Sequence, residues 1–349
     1  MKSRYRSLAS FIHWQQAERP IEWAARFDRP GPLVVELGCG NGEALIRRAR
    51  DNPHERLVGI DQEWASILRG LRRIDAAKLS NIRTLFCDAR VALERLFISA
   101  SIAEIYAFFP CPWPKNGHIR HRLFSNAFLQ LINNRLCTDG RLTIVTDEAA
   151  YKNWVLTQTN GAGFTIEGST VPAGLGTLYE RKWITAGQDR FYKLILRKAV
   201  HLEVDMRKDE TMQTYRIPVF DPDRFAPTDR HGELTVEFKE HLYDPKRRKL
   251  MTRVMIIEEP LIQDIWIEVT WVENAWSIRP AWGCRMIPTA GVQLALDLVR
   301  EAVERSTAKP KAPVRDKAAF SSNSDLDAGT RRDRADERDG RPKIPSGPG

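Results

Sequence analysis

Long apolar runs are missing. No stretch of the 349-residue chain approaches the roughly 18 uninterrupted apolar residues of a membrane-spanning helix. The N-terminus, Met1 to Ser10, is basic, but neither an apolar h-region nor a small-residue cleavage site follows it. That speaks against export. Cysteine is scarce: Cys39, Cys87, Cys111, Cys137 and Cys284 are odd in number, widely spaced and free of any CxxC. A disulfide framework and a zinc knuckle are both disfavoured, no metal site is expected, and a reducing cytoplasm is the natural home. No internal repeat at a solenoid period occurs.

What is present is ordinary globular material, 42% hydrophobic and 28% charged. At roughly 150 residues per domain the length suggests two domains and a tail. The net charge is +9. It fits a polyanionic partner, of which nucleic acid is the commonest, and it fits solubility alone equally well.

Short apolar runs alternate with helical periods over residues 31–199. The strands expected are Leu33 to Leu37, Leu57 to Ile60, one ending Leu85 to Cys87, Ile105 to Phe109 and Leu142 to Val145. Between them lie helical stretches from Glu43, Glu63, Ala89, Asn126 and Ala149. This alternation predicts an α/β, mostly parallel sheet covered on both faces. Two more strands, Phe164 to Glu167 and Phe191 to Leu196, are separated by a long glycine-rich connection. Residues 1–30 form an N-terminal segment. Over residues 200–306 the texture changes to period-two strands and a closing helix, Ala290 to Arg305. That stretch reads as a smaller α+β unit without a recognisable chemical motif. Residues 307–349 are charged and poor in apolar residues, as expected of a disordered tail.

The first motif is Glu36-Leu37-Gly38-Cys39-Gly40-Asn41-Gly42, between a strand and a helix. Glycines there let the backbone turn sharply and approach a ligand. The alternative is a tight turn that binds nothing. Glu36 at the strand end would repel a phosphate, which argues against a dinucleotide. A cationic ligand without phosphates fits better, and S-adenosylmethionine is one. Asp61, after the second strand, is placed to accept from ribose hydroxyls. Asp88, after the third, is placed to accept from an adenine amino group. Each acid alone is more often a turn residue or helix cap. Together they form a series along one sheet edge, where open α/β sheets bind ligands.

The most distinctive stretch is Phe108-Phe109-Pro110-Cys111-Pro112-Trp113-Pro114-Lys115. Its prolines make a rigid loop, and Trp113 offers a flat face for a base. Lys115, His118, Arg120, His121 and Arg122 form a basic cluster suited to phosphate contacts, or simply a solvated loop. Here the sequence resembles the bacterial tRNA (guanine-N7)-methyltransferase family, whose loop reads Phe-Pro-Asp-Pro-Trp-Pro-Lys before His and a basic run. Thr146-Asp147, with Tyr151 and Trp154 behind, is the next matching block. Thr177-Leu178-Tyr179-Glu180-Arg181, with Gly187 and Tyr192, is the last, similar to the family's Thr-x-x-Glu segment. The resemblance covers residues 30 to 198. It implies a Rossmann-like class I methyltransferase fold with a seven-stranded sheet.

The resemblance also implies S-adenosylmethionine as cofactor, bound by Glu36, Gly38, Gly40, Asp61 and Asp88. Lys115, Asp147, Thr177 and Glu180 would bind the guanosine and its surroundings, and tRNA would be the substrate. The family's loop aspartate is assigned to cofactor contact and catalysis. Cys111 stands in its place, and Gly117 where the family has arginine. Asp147 and Glu180 are then the carboxylates expected at the purine. A monomer or homodimer without a required protein partner is expected. The competing readings are a family member that binds tRNA or cofactor without turnover, and a methyltransferase for a small molecule or protein. A dehydrogenase is disfavoured by Glu36.

Overall fold

The computed structural model describes residues 7–308, which belong to one compact unit. The tail expected from 307 onward lies outside the described residues except for Thr307 and Ala308.

The first sheet has seven strands: β1 (Leu33–Leu37), β2 (Arg56–Asp61), β3 (Ile82–Phe86), β4 (Ile102–Phe108), β5 (Leu136–Thr146), β6 (Phe164–Pro172) and β7 (Arg190–Lys198). Their order is β3-β2-β1-β4-β5-β7-β6. Pairs β1·β2, β2·β3, β1·β4 and β4·β5 are parallel, and only β7 runs against its neighbours. All five residues of β1 are buried, as an interior strand covered on both faces must be.

One face carries α1 (Glu43–Asp51) and α2 (Trp64–Ala76); the other carries α3 (Ala89–Arg95), α4 (Asn126–Arg135) and α5 (Ala149–Gln158). The alternation along β1 divides two cores. Val34 packs with Leu45, Ala49 and Tyr106, while Val35 and Leu37 join the larger core with Leu93, Phe97 and Tyr151. The glycine-rich connection before β7 contains a helix that the sequence did not announce, α6 (Leu178–Thr185). The N-terminal segment closes the free edge of β3. Phe11 pairs with Thr84 in parallel, and the Trp14 indole donates to Phe86 O at 2.8 Å.

The second sheet is antiparallel, built from β8 (Tyr215–Ile217), β9 (Thr235–Asp244), β10 (Lys249–Glu258), β11 (Leu261–Val272) and β12 (Ala275–Pro280). Strand β12 follows β11 through a tight turn in which Glu273 and Asn274 both take positive φ. A helix, α7 (Ala290–Thr307), covers one face. Val292, Ala295, Leu296, Val299 and Val303 bury against Val254, Ile256, Ile265, Ile267 and Val269. Among the described residues no helix is long and apolar enough to cross a membrane, and no His/Cys/Asp/Glu group is arranged to hold a metal ion.

Candidate active site

The parallel strands end on one edge, and the motif residues lie along it. After β1 the chain turns on Gly38 and Gly40, with φ of +71° and +52°, a region that side chains other than glycine enter at a cost. Asp61, closing β2, holds this turn. Its carboxylate accepts from Gly40 N at 2.7 Å and from Glu63 N at 2.8 Å, tying two successive loops together. A cleft of about 280 Å³ opens beside the turn. Gly38, Gly40, Asp61 and Glu63 line one side, and Thr177 to Tyr179 the other.

Glu36 does not line that cleft. It sits behind it, 3% exposed, accepting from the Tyr106 hydroxyl at 3.1 Å. Burial pushes its carboxyl up to about 8, the Tyr106 hydrogen bond opposes the rise and the nearby Asp61 charge adds to it. Burial also raises Asp61 above the usual carboxylate range. Asp88 caps α3, accepting from Arg90 N at 2.7 Å, and pairs with the Arg90 guanidinium at 3.1 Å. The bland alternative for an acid at a strand end, a helix cap, is therefore what Asp88 does in this structure.

The proline loop leaves β4 with Phe109 at φ +55° and buried against Phe191. Cys111, Trp113 and Lys115 are at the surface. Trp113 is 36% exposed, with the His118 and His121 rings at its edge, 5.7 and 5.3 Å between centroids. Arg120 is exposed too. Arg122, grouped in the sequence with the phosphate-facing residues, is instead buried and turned inward onto the loop. Asp147 follows β5, half-buried, and its carboxyl is raised chiefly by burial.

In the Thr177–Glu180 segment, expected to meet the guanosine, the glutamate is turned onto its own loop. Glu180 is 2% exposed, and its carboxylate accepts from the backbone N–H of Gly174 at 2.7 Å, of Leu175 at 2.8 Å, and of Gly176. Both oxygens are engaged by its own loop, so Glu180 builds the loop rather than facing a base. Thr177 caps α6, its hydroxyl accepting from Glu180 N at 3.1 Å. The segment is fastened to α1 by contacts that the sequence does not mark. Arg181 meets Glu43 at 2.7 Å, and Arg47 donates to Gly174 O at 3.2 Å and to Leu175 O. No local pattern marks such contacts, since the partners lie more than a hundred residues apart.

Gly38, Gly40, Asp61 and Thr177 thus share one cleft, with Glu36 behind it. Asp88, Cys111, Lys115 and Asp147 lie on loops and caps of the same sheet edge, outside that cleft. A doubly wound seven-stranded sheet with a lone antiparallel β7, a glycine turn after β1 and acids near the ends of β1 and β2 defines the class I methyltransferase fold.

Comparison with known proteins narrows the class. Residues 30–192 match the model of a family described as a putative methyltransferase. A tRNA (guanine-N(7)-)-methyltransferase of Chlorobium phaeobacteroides is 40% identical over 173 residues, half of this chain and 85% of that protein. One of Thermotoga maritima is 34% identical over 175 residues, 49% of this chain and 56% of that relative's length. A solved 16S rRNA methyltransferase aligns at 18% identity and a TM-score of 0.40, covering 52% of this chain and 92% of that one. The chain belongs to the tRNA (guanine-N7)-methyltransferase family.

Proposed function

We propose that this chain transfers a methyl group from S-adenosylmethionine to N7 of a guanosine in the variable region of tRNA. The observation that carries the reading is the Asp61-tied glycine turn, opening a cleft on the same sheet edge as the Trp113–Lys115 loop.

The residues fit the cofactor. The cleft is bounded by Asp61 and Glu63, with Glu36 behind, and a group carrying a sulfonium and an ammonium is favoured beside carboxylates. Asp61 retains free lone pairs for ribose hydroxyls. Gly38 and Gly40 let the backbone approach closely, and Asp88 is the acid nearest in sequence for an adenine amino group. When bound, the cofactor supplies an electrophilic methyl group on a cationic sulfur.

Guanine N7 has an in-plane lone pair and no proton, so no general base is needed. The protein's task is alignment, with reacting atoms held roughly 3 to 3.5 Å apart. Positive charge arrives on the purine, and a carboxylate near it both stabilises that charge and accepts from guanine N1 and N2 hydrogens. With Glu180 engaged by its own loop, Asp147 is the carboxylate left for that role. Lys115 is placed for the phosphate or sugar beside the base, and Thr177 presents the wall opposite the glycine turn. Cys111, a thiol in place of a carboxylate, leaves the enzyme slower rather than inactive. The enzyme acts in the cytoplasm, as a monomer or homodimer.

The exposed Cys111 and the inward-turned Glu180 favour one competing reading, a tRNA- or cofactor-binding protein without turnover. Unmodified tRNA transcript, the full chain and methyl-labelled cofactor decide between them, with borohydride–aniline cleavage to locate 7-methylguanosine. Cleavage in the variable region is expected. Cofactor binding without methylation, unrelieved by Cys111→Asp, would support the binding protein.

A further inference from the structure

Arg122 differs from the basic residues around it. Arg120 and His121 are exposed, whereas Arg122 is 8% exposed. Its Nε donates to Pro112 O at 2.8 Å and its Nη2 to Trp113 O at 3.3 Å, so one fork spans two consecutive carbonyls. The guanidinium lies over the rings of Trp154 and Tyr151, 5.2 and 5.8 Å from their centroids, and those rings stack on each other at 5.6 Å. Both belong to α5, which begins two residues after Asp147. Among the described residues no carboxylate pairs with Arg122, so this buried cation is not held by an ion pair.

The loop explains why a cation stands there. Pro110, Pro112 and Pro114 have no N–H to donate, so the backbone between them can be fastened mainly through its carbonyls, which need donors. Trp113 also sits at φ +43°, a conformation that persists only when its surroundings enforce it. A planar five-donor fork that also stacks on aromatic faces meets both needs, and an ammonium does not.

We propose that Arg122 is a positioning residue. It makes no contact with RNA; it locks the Pro112–Trp113 stretch to α5, so that the Trp113 face and Lys115 are held in fixed relation to Asp147. This rests on the proposed methyl transfer to tRNA.

The test uses the full chain with Arg122→Lys, which keeps the charge, and Arg122→Met, which keeps the apolar packing without donors. In both, the single-turnover methylation rate at saturating tRNA and cofactor should fall by about 10- to 100-fold, with tRNA Kd within about two-fold of wild type and an unchanged salt slope. Tryptic cleavage after Lys115 should speed up several-fold, reporting loop order independently of methylation. If wild type methylates nothing, the proposed activity fails, and the cleavage and tRNA affinity still judge the clamp. A phosphate contact gives the opposite pattern: weaker tRNA binding, a salt slope reduced by about one, and full rate at saturation. That result, or unchanged cleavage after Lys115 in both variants, overturns the proposal.

Discussion

The seven-stranded and five-stranded sheets differ first in how they hold charge. Residues 31–200 carry 23 Lys and Arg against 16 Asp and Glu, whereas residues 201–308 carry 15 against 19. On the second sheet Lys249, Arg253 and Arg279 are neutralised where they stand. Lys249 and Arg279 converge on Glu268 at 2.6 and 2.7 Å, and Arg253 pairs with Asp264 at 2.6 Å. On the first sheet's edge, Lys115 and Arg120 meet no carboxylate among the described residues. A polyanion gains from cations that have no partner to give up. Residues 31–200 thus carry more basic than acidic groups, and the unpaired Lys115 and Arg120 lie on the edge that holds the glycine turn. We propose that the second sheet is an architectural element. The strap leading to it carries Asp209, which pairs with Arg19 of the N-terminal segment and lies 3.6 Å from the buried Arg95 of α3.

The sharpest way to break this contrast is at Asp61, because one carboxylate holds two loops of the cleft. Asp61→Ala leaves Gly40 N and Glu63 N without their acceptor. Each charge-assisted hydrogen bond is worth about 1.5–3 kcal/mol, so cofactor affinity should fall by roughly 100-fold while tRNA affinity stays within a factor of two. Calorimetry for the cofactor and filter binding for tRNA would check both halves. Equal losses for the two ligands would mean that the whole edge had collapsed.

The first sheet was largely legible because buried parallel strands read as short apolar runs, and the bounds of β1 fall at the expected residues. The second was legible through its period of two, although β12 hides behind the Glu273–Asn274 turn as a short strand of six residues, with polar Ser277 and Arg279 and a closing Pro280. Within the site, motif spacing located the loops but not the direction of the side chains. Glu180 and Arg122 lie in recognisable segments, yet both turn inward because their loops have backbone groups to satisfy. The donors and acceptors that decide this are main-chain atoms, which leave no mark in the pattern of residue types. Glu43, Arg47 and Arg181 were invisible for a different reason, being brought together only by the tertiary fold.

Charge removal sharpens the comparison at moderate effect. Lys115→Ala and Arg120→Ala should each weaken tRNA binding by about 3- to 10-fold at moderate salt and lower the salt slope by about one. Lys246→Ala with Arg247→Ala, in the β9–β10 turn, removes twice the charge of either single variant and should still change affinity by less than two-fold. A comparable loss from the β9–β10 pair would place RNA on the second sheet and end its reading as architecture.

The smallest effect separates two buried carboxylates. Glu268, 1% exposed, faces two cations; Glu36, also buried, has the Tyr106 hydroxyl as its side-chain hydrogen-bond partner and no ion pair among the described residues. Glu36 is raised by burial from 4.5 to about 8, so it holds a proton in the fold at neutral pH. Its contribution to stability is fully present below pH 4.5 and is lost as the pH climbs through 8. A cationic ligand in the neighbouring cleft reverses that preference by favouring the carboxylate. Cofactor binding at pH 7 should therefore release close to one proton, read as a dependence of the calorimetric enthalpy on buffer ionisation heat. The release should shrink above pH 8 and vanish in Glu36→Gln, while Glu268→Gln leaves it intact. Proton release that survives Glu36→Gln would move the linkage to Asp61, an acid that lines the cleft and is also raised by burial.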